Sequence, residues 1–142
     1  MDLNKIWDKF GNFDSHHENE IKTEIERLKS SPYYKIKSFE KYLNYYDVFM
    51  KDIYGFIEGG EADKIRQAGM YLYINSAFSY ISNCDFSKSW ILEIESVSSK
   101  RFLERLSLCI KMFEFYEEYE KCHILKKISD ICLKKLGFIE KP

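Results

Sequence analysis

From residue 33 onward the chain lays down apolar residues at a helical period. Ile36, Phe39, Leu43, Tyr46, Met50, Ile53 and Ile57 follow one another at alternating steps of 3 and 4. That spacing keeps one helix face apolar as a continuous heptad seam. A second stripe, Tyr42, Tyr45, Phe49 and Phe56, runs beside it. One stripe is satisfied by one partner helix. Two stripes need two partners, or one neighbour and one outside ligand. Gly59-Gly60 then closes the segment, as residues that tolerate the left-handed conformation do.

The same reading extends along the chain. Leu3, Ile6, Trp7 and Phe10 predict a short helix over residues 2–10, ended by Gly11. A second helix is expected from about Ser15, where Ser15 and Glu18 make a capping-box pattern just after Phe13. Its stripe of Ile21, Ile25 and Leu28 is narrow and its other faces are charged, which predicts a surface helix; Ser30-Ser31-Pro32 breaks it. From Glu61 to about Asn83, Met70, Ile74, Ala77 and Ile81 form one stripe and Ile65, Ala68 and Leu72 another. Few charges follow Arg66, so this helix is expected to be central. The alternation in MYLYI also suits a strand, but Gln67-Ala68 and Ala77 continue the 3.6 period and favour helix. After a polar loop, Trp90, Ile91, Ile94 and Val97 predict a short helix, and Ser98-Ser99 offers an N-cap to the next. There Phe102, Leu106, Cys109, Phe113 and Tyr116 align, followed by Leu125, Ile128, Cys132 and Leu136. Gly137 is a good residue for the position after a helix end, with Phe138-Ile139 beyond it for apolar contact. The expectation is an all-α fold: one compact domain over 1–142, six or seven helices, and a central antiparallel helical hairpin of about 33–57 and 61–83.

Composition narrows the classes of function. Hydrophobic residues make up 45% and charged residues 32%, a globular mix, and 142 residues suffice for a core without staples. Aromatics are in excess, with 11 Tyr, 11 Phe and 2 Trp, while 2 Pro and 6 Gly leave few breakers. The net charge of −1 gives no field toward nucleic acid or anionic lipid, and only Arg27, Arg66, Arg101 and Arg105 could supply bidentate phosphate contacts. Nucleic acid and membrane are therefore not expected as partners. Cys84, Cys109, Cys122 and Cys132 form no CxxC pair and read as free core thiols. No apolar run reaches the roughly 18 residues that span a bilayer. The opening MDLNKIWDKF is charged and amphipathic rather than signal-like, so the expected compartment is the reducing cytoplasm.

Catalytic signatures are weak. In His16-His17-Glu18-Asn19-Glu20 the adjacent histidines diverge on a helix and no HExxH is present; Cys122-His123 lacks an orienting third group. No phosphate loop or nucleophile elbow occurs, and FIEGGEADK places acids where a phosphate would sit. No catalytic residue, metal ligand or cofactor is predicted.

The segment 99–136 carries more information. Lys100, Arg101 and Arg105 precede Glu114, Glu117, Glu118 and Glu120, an order that opposes the macrodipole of a helix ending near 120. Either the helix runs on toward Gly137 with Glu117 and Lys121 paired, the favoured reading, or the acids are kept for a basic partner. In FEFYEEYE, Phe113, Phe115, Tyr116 and Tyr119 alternate with those acids. Tyrosines at 42 and 45, 71 and 73, and 116 and 119 cannot all face one core, so some ring surface must face outward. The expected role is non-catalytic protein binding, as an immunity- or antitoxin-type inhibitor occluding a basic toxin or effector. The candidate contacts are Glu114, Tyr116, Glu117, Glu118, Tyr119 and Glu120, then Glu58, Glu61 and Asp63. Three other readings make different demands. A Bcl-2-like bundle holding a partner helix needs an exposed groove of Leu, Ile and Phe. A small metal-dependent enzyme needs converging His, Cys and carboxylates. A homodimeric module needs the second stripe of 39–57 as a seam.

Overall fold

A computed structural model describes residues 15–56 and 62–138, including their side chains except those of Ser15, His16 and Phe56. The expected helix over 2–10, the Gly59-Gly60 turn, and the positions of Ile57, Glu58 and Glu61 lie outside those residues. The fold is all-α. Among the described residues the helices are α1 (Ser15–Lys29), α2 (Pro32–Asn44), α3 (Tyr46–Phe56), α4 (Ala62–Ser79), α5 (Lys88–Val97), α6 (Lys100–Phe115) and α7 (Tyr119–Lys135). No helix among them is long and apolar enough to cross a membrane.

Local chemistry sets the starts. Ser31 caps α2 by accepting the Tyr34 N–H at 3.2 Å, and Pro32 supplies a preset φ at the first helical position. Ser99 caps α6 by accepting the Phe102 N–H at 3.0 Å. Gly137, at φ 83°, ends α7 with Phe138 N–H bonded to Leu133 C=O and Gly137 N–H to Lys134 C=O. That is the 6→1 and 5→2 pattern of a Schellman turn.

The heptad seam is the core face of α2. Ile36, Phe39 and Leu43 are fully buried, Tyr46 follows them, and the burial weakens at Met50 and Ile53 on α3. Helix α2 sits at the centre, packed by α4, α5 and α6. Its buried face shares one core with Ile74, Ala77 and Ile81, Trp90 and Ile94, and Phe102 and Leu106, which Leu125 and Ile128 of α7 extend through the packing of α7 on α5 and α6. Tyr34 meets Tyr80, Tyr42 and Phe49 meet Tyr73, and Gly69 comes up against Ile53. As α2 and α3 advance their partners recede, so the hairpin is antiparallel. A Cβ on Gly69 would lie 2.9 Å from Ile53 Cδ1, a terminal methyl of a flexible side chain that can turn aside.

Three expectations need correction. The segment 33–57 is not one helix but breaks at Tyr45. The Tyr73 hydroxyl donates to the Tyr42 carbonyl at 2.6 Å, the oxygen that a continuous helix offers to Tyr46 N–H. Tyr45 N–H is drawn to the carbonyls of both Lys41 and Tyr42, a tightened turn. Second, α4 is not surrounded by core: Ile65, Ala68 and Leu72 are all exposed, Leu72 at 64%. Third, 99–136 forms two helices, with a turn at 116–118.

Candidate functional site

The turn between α6 and α7 forms without glycine. Glu118 N–H bonds to Phe113 C=O at 2.8 Å and Glu117 N–H to Glu114 C=O at 3.0 Å, the Schellman pattern again. Here the left-handed position is held by Glu117, at φ 60°. That conformation costs an L residue about 1–2 kcal/mol. Glycine avoids the cost but gives back about 0.5–1 kcal/mol in unfolded-chain freedom. Glu117→Gly is therefore expected to raise stability by about 0.5–1 kcal/mol in urea unfolding; a fall of that size would contradict the turn geometry.

The break accounts for Glu118 and Glu120, while Lys100, Arg101 and Glu114 still run against the macrodipole of α6. Glu118 is the residue before α7 and Glu120 lies in its first turn, the favourable end of a macrodipole. The pairing expected between Glu117 and Lys121 is instead made by Glu118, whose carboxylate lies 3.0 Å from Lys121 Nζ. Tyr71 OH donates to the same carboxylate, 2.9 and 2.8 Å from its two oxygens, and Lys121 also donates to Asn75 Oδ1 at 2.5 Å. The Lys121 ammonium sits 5.0 Å above the Phe113 ring. This half-buried network fastens the turn to α4.

Burial pushes the Glu118 carboxyl up, but hydrogen bonds from Lys121 and Tyr71 and the Lys121 charge outweigh it and hold the carboxyl below its ordinary value. The bond to Glu118 raises the Tyr71 phenol, with burial adding to the shift. A depressed carboxylate stabilises the fold above its unfolded pKa, and the contribution is lost as pH falls through the folded value. Glu118→Gln is expected to cost about 1 kcal/mol at pH 7, a charged hydrogen bond discounted for partial exposure. In urea unfolding the gap from wild type narrows as pH falls through the usual carboxylate range toward the lowered folded value. A gap independent of pH down to about 3 would refute the ionic role of Glu118.

Around the braced turn lie the other expected contacts. Glu114 is exposed and pairs with Lys126 at 3.2 Å. Tyr116 is partly exposed, edge-on to Tyr71 at 4.7 Å and to Phe115 at 5.1 Å. Tyr119 is 63% exposed, and Glu117 and Glu120 are exposed with no ion pair among the described residues. Phe115 is 70% exposed, the barest large apolar side chain described. Its position two residues after buried Phe113, hence across the helix, was the sequence signal for that exposure. Beside it a cleft of about 230 Å³ opens between α4 and α6, lined by Met70, Leu108, Met112, Phe115 and Tyr116. Comparison with family models, curated proteins and solved structures finds no match.

Asp63 lies apart from this turn, in the first turn of α4, where it pairs with Arg66. Glu58 and Glu61 are outside the described residues, so the second expected patch is represented by Asp63 alone. Among the described residues no three His, Cys, Asp or Glu side chains converge as metal ligands. All four cysteines are unpaired, and burial pushes the Cys109 thiol up to about 12. The stripe considered as a homodimer seam is partly spent within the chain, because Phe49 stacks on Tyr73 at 4.4 Å and Tyr42 packs on the same ring at 5.1 Å.

Proposed function

We propose that this chain is a non-catalytic protein-binding module that docks through the α6–α7 turn. One observation carries the reading: two bare rings, Phe115 and Tyr119, flank a glutamate in a left-handed conformation on a turn braced from α4. Rings with large area and few rotors suit an interface centre, and bracing lowers the entropy lost on docking. Non-glycine residues in costly backbone conformations concentrate at functional positions.

The more specific version is an inhibitor of the immunity or antitoxin type acting in a reducing cytoplasm. Glu117 and Glu120 steer a basic toxin or effector, the two rings hold it, and the cleft beside Phe115 accepts one of its side chains. Glu114 and Glu118 contribute less field, because Lys126 and Lys121 neutralise them.

The test is site-specific photo-crosslinking in the source cell. A benzoylphenylalanine at Tyr119 is expected to give one discrete protein adduct, and the same probe at exposed Leu92 of α5 none. Changing Glu117 and Glu120 to lysine should remove the adduct. Identical adducts from both positions, or none from Tyr119, would reject the docking turn.

A further inference from the structure

A groove lies on the opposite flank of α4. Tyr71, Asn75 and Phe78 face the α6–α7 turn; Tyr73 and Tyr80 face α2. There Tyr34, Ser38, Lys41 and Tyr42 occupy one stripe of α2 that Tyr45 continues just past its end, and with Tyr73 and Tyr80 they line a groove of about 790 Å³. Its wall is a ladder of rings. Tyr34 lies edge-on to Tyr80 at 6.4 Å, Tyr80 packs on Tyr42 at 5.7 Å, and Tyr42 on Tyr73 at 5.1 Å.

All but one of the tyrosine hydroxyls of the groove are unspent. Tyr73 OH is used on the Tyr42 carbonyl, but the hydroxyls of Tyr34, Tyr42, Tyr45 and Tyr80 and the Lys41 ammonium bond no protein group among the described residues. No carboxylate lines the groove. Burial raises the phenols of Tyr73, to about 12, and Tyr80, so both remain protonated at neutral pH. The groove therefore offers flat rings, hydroxyl donors and one cation.

The geometry points to an extended proline-rich peptide carrying a carboxylate, bound along this groove. A polyproline II chain has no internal hydrogen bonds, and prolines carry no N–H, so it presents apolar rings and carbonyl acceptors. Both match what the groove displays. Tyr34 to Tyr45 spans roughly 16 Å of helix, which about five residues of such a chain cover. Lys41 places the peptide's acid at the Tyr45 end. The same lysine opposes a quaternary ammonium, which aromatic cages otherwise take. A single lining cation is too little for nucleic acid, whose backbone carries a phosphate at every residue.

Fluorescence anisotropy tests this with labelled octaproline bearing one glutamate at either end. Controls carry lysine in place of glutamate, glycine-serine in place of proline, or are an eight-base oligothymidylate. Saturable binding is expected for at least one acidic proline peptide, with the glycine-serine peptide and the oligothymidylate weaker by about tenfold. Tyr45→Ala, an exposed substitution, should weaken it by about fivefold. Lys41→Glu should weaken the glutamate peptide and strengthen the lysine peptide. No saturation by about 1 mM, equal binding of the glycine-serine peptide, tighter binding of the oligothymidylate, or indifference to both variants would overturn the assignment.

Discussion

Phe113→Ala is expected to cost about 3–5 kcal/mol of stability, the usual range for removing a fully buried ring. Phe113 is 0% exposed and closes the space between α4, α6 and α7. It meets Phe78 edge-on at 5.5 Å and Tyr71 at 6.2 Å, and it carries the Lys121 ammonium on its face. The loss includes the buried area, the cavity left behind and the ring contacts. Against a total stability of about 5–15 kcal/mol, such a change consumes a large share. Phe115→Ala, two residues on, is expected to stay within about 0.5 kcal/mol of wild type, because that ring is mostly in solvent. Urea unfolding of the two variants side by side provides the check. Equal costs would mean that the core and surface faces of α6 are wrongly divided.

Binding should show the reverse order. Phe115→Ala and Tyr119→Ala are each expected to lower affinity for the crosslinked partner by about 30-fold, equivalent to about 2 kcal/mol, the level of an interface hot spot. Neither should change stability by more than about 0.5 kcal/mol. Both rings stand on the braced turn, so the cost is lost partner contact rather than a loosened fold. Leu92→Ala, on a different exposed surface, should leave affinity unchanged. Isothermal titration with the purified partner separates these outcomes. Affinity that survives both ring deletions would place the docking surface elsewhere.

The residues that obeyed a period were the ones legible in the sequence. The alternating steps from Ile36 to Leu43 mark the buried face of α2, and the Ser31, Ser99 and Gly137 signals mark real helix ends. What escaped came from partners distant in sequence. The break at Tyr45 depends on a hydroxyl from Tyr73, and no glycine or proline announces it. The turn at Glu117 likewise uses a residue that favours helix, so propensity carries the helix on through Lys121 and gives no sign of the capping bonds. The interleaving of acids and rings over 113–120 was visible. Which acids face outward was not, because the link from Glu118 to Tyr71 crosses 47 positions. The exposed stripe of Ile65, Ala68 and Leu72 looked like core because periodicity reports a face without saying what covers it.

The decisive measurement is partner affinity of Glu117→Gly, taken together with its stability. Glycine relieves the left-handed backbone while removing a charge that the proposed interface uses. The account predicts a protein that is harder to unfold and binds its partner about tenfold more weakly. A variant that gains stability and keeps full affinity would contradict the claim that this glutamate is held at the turn for docking.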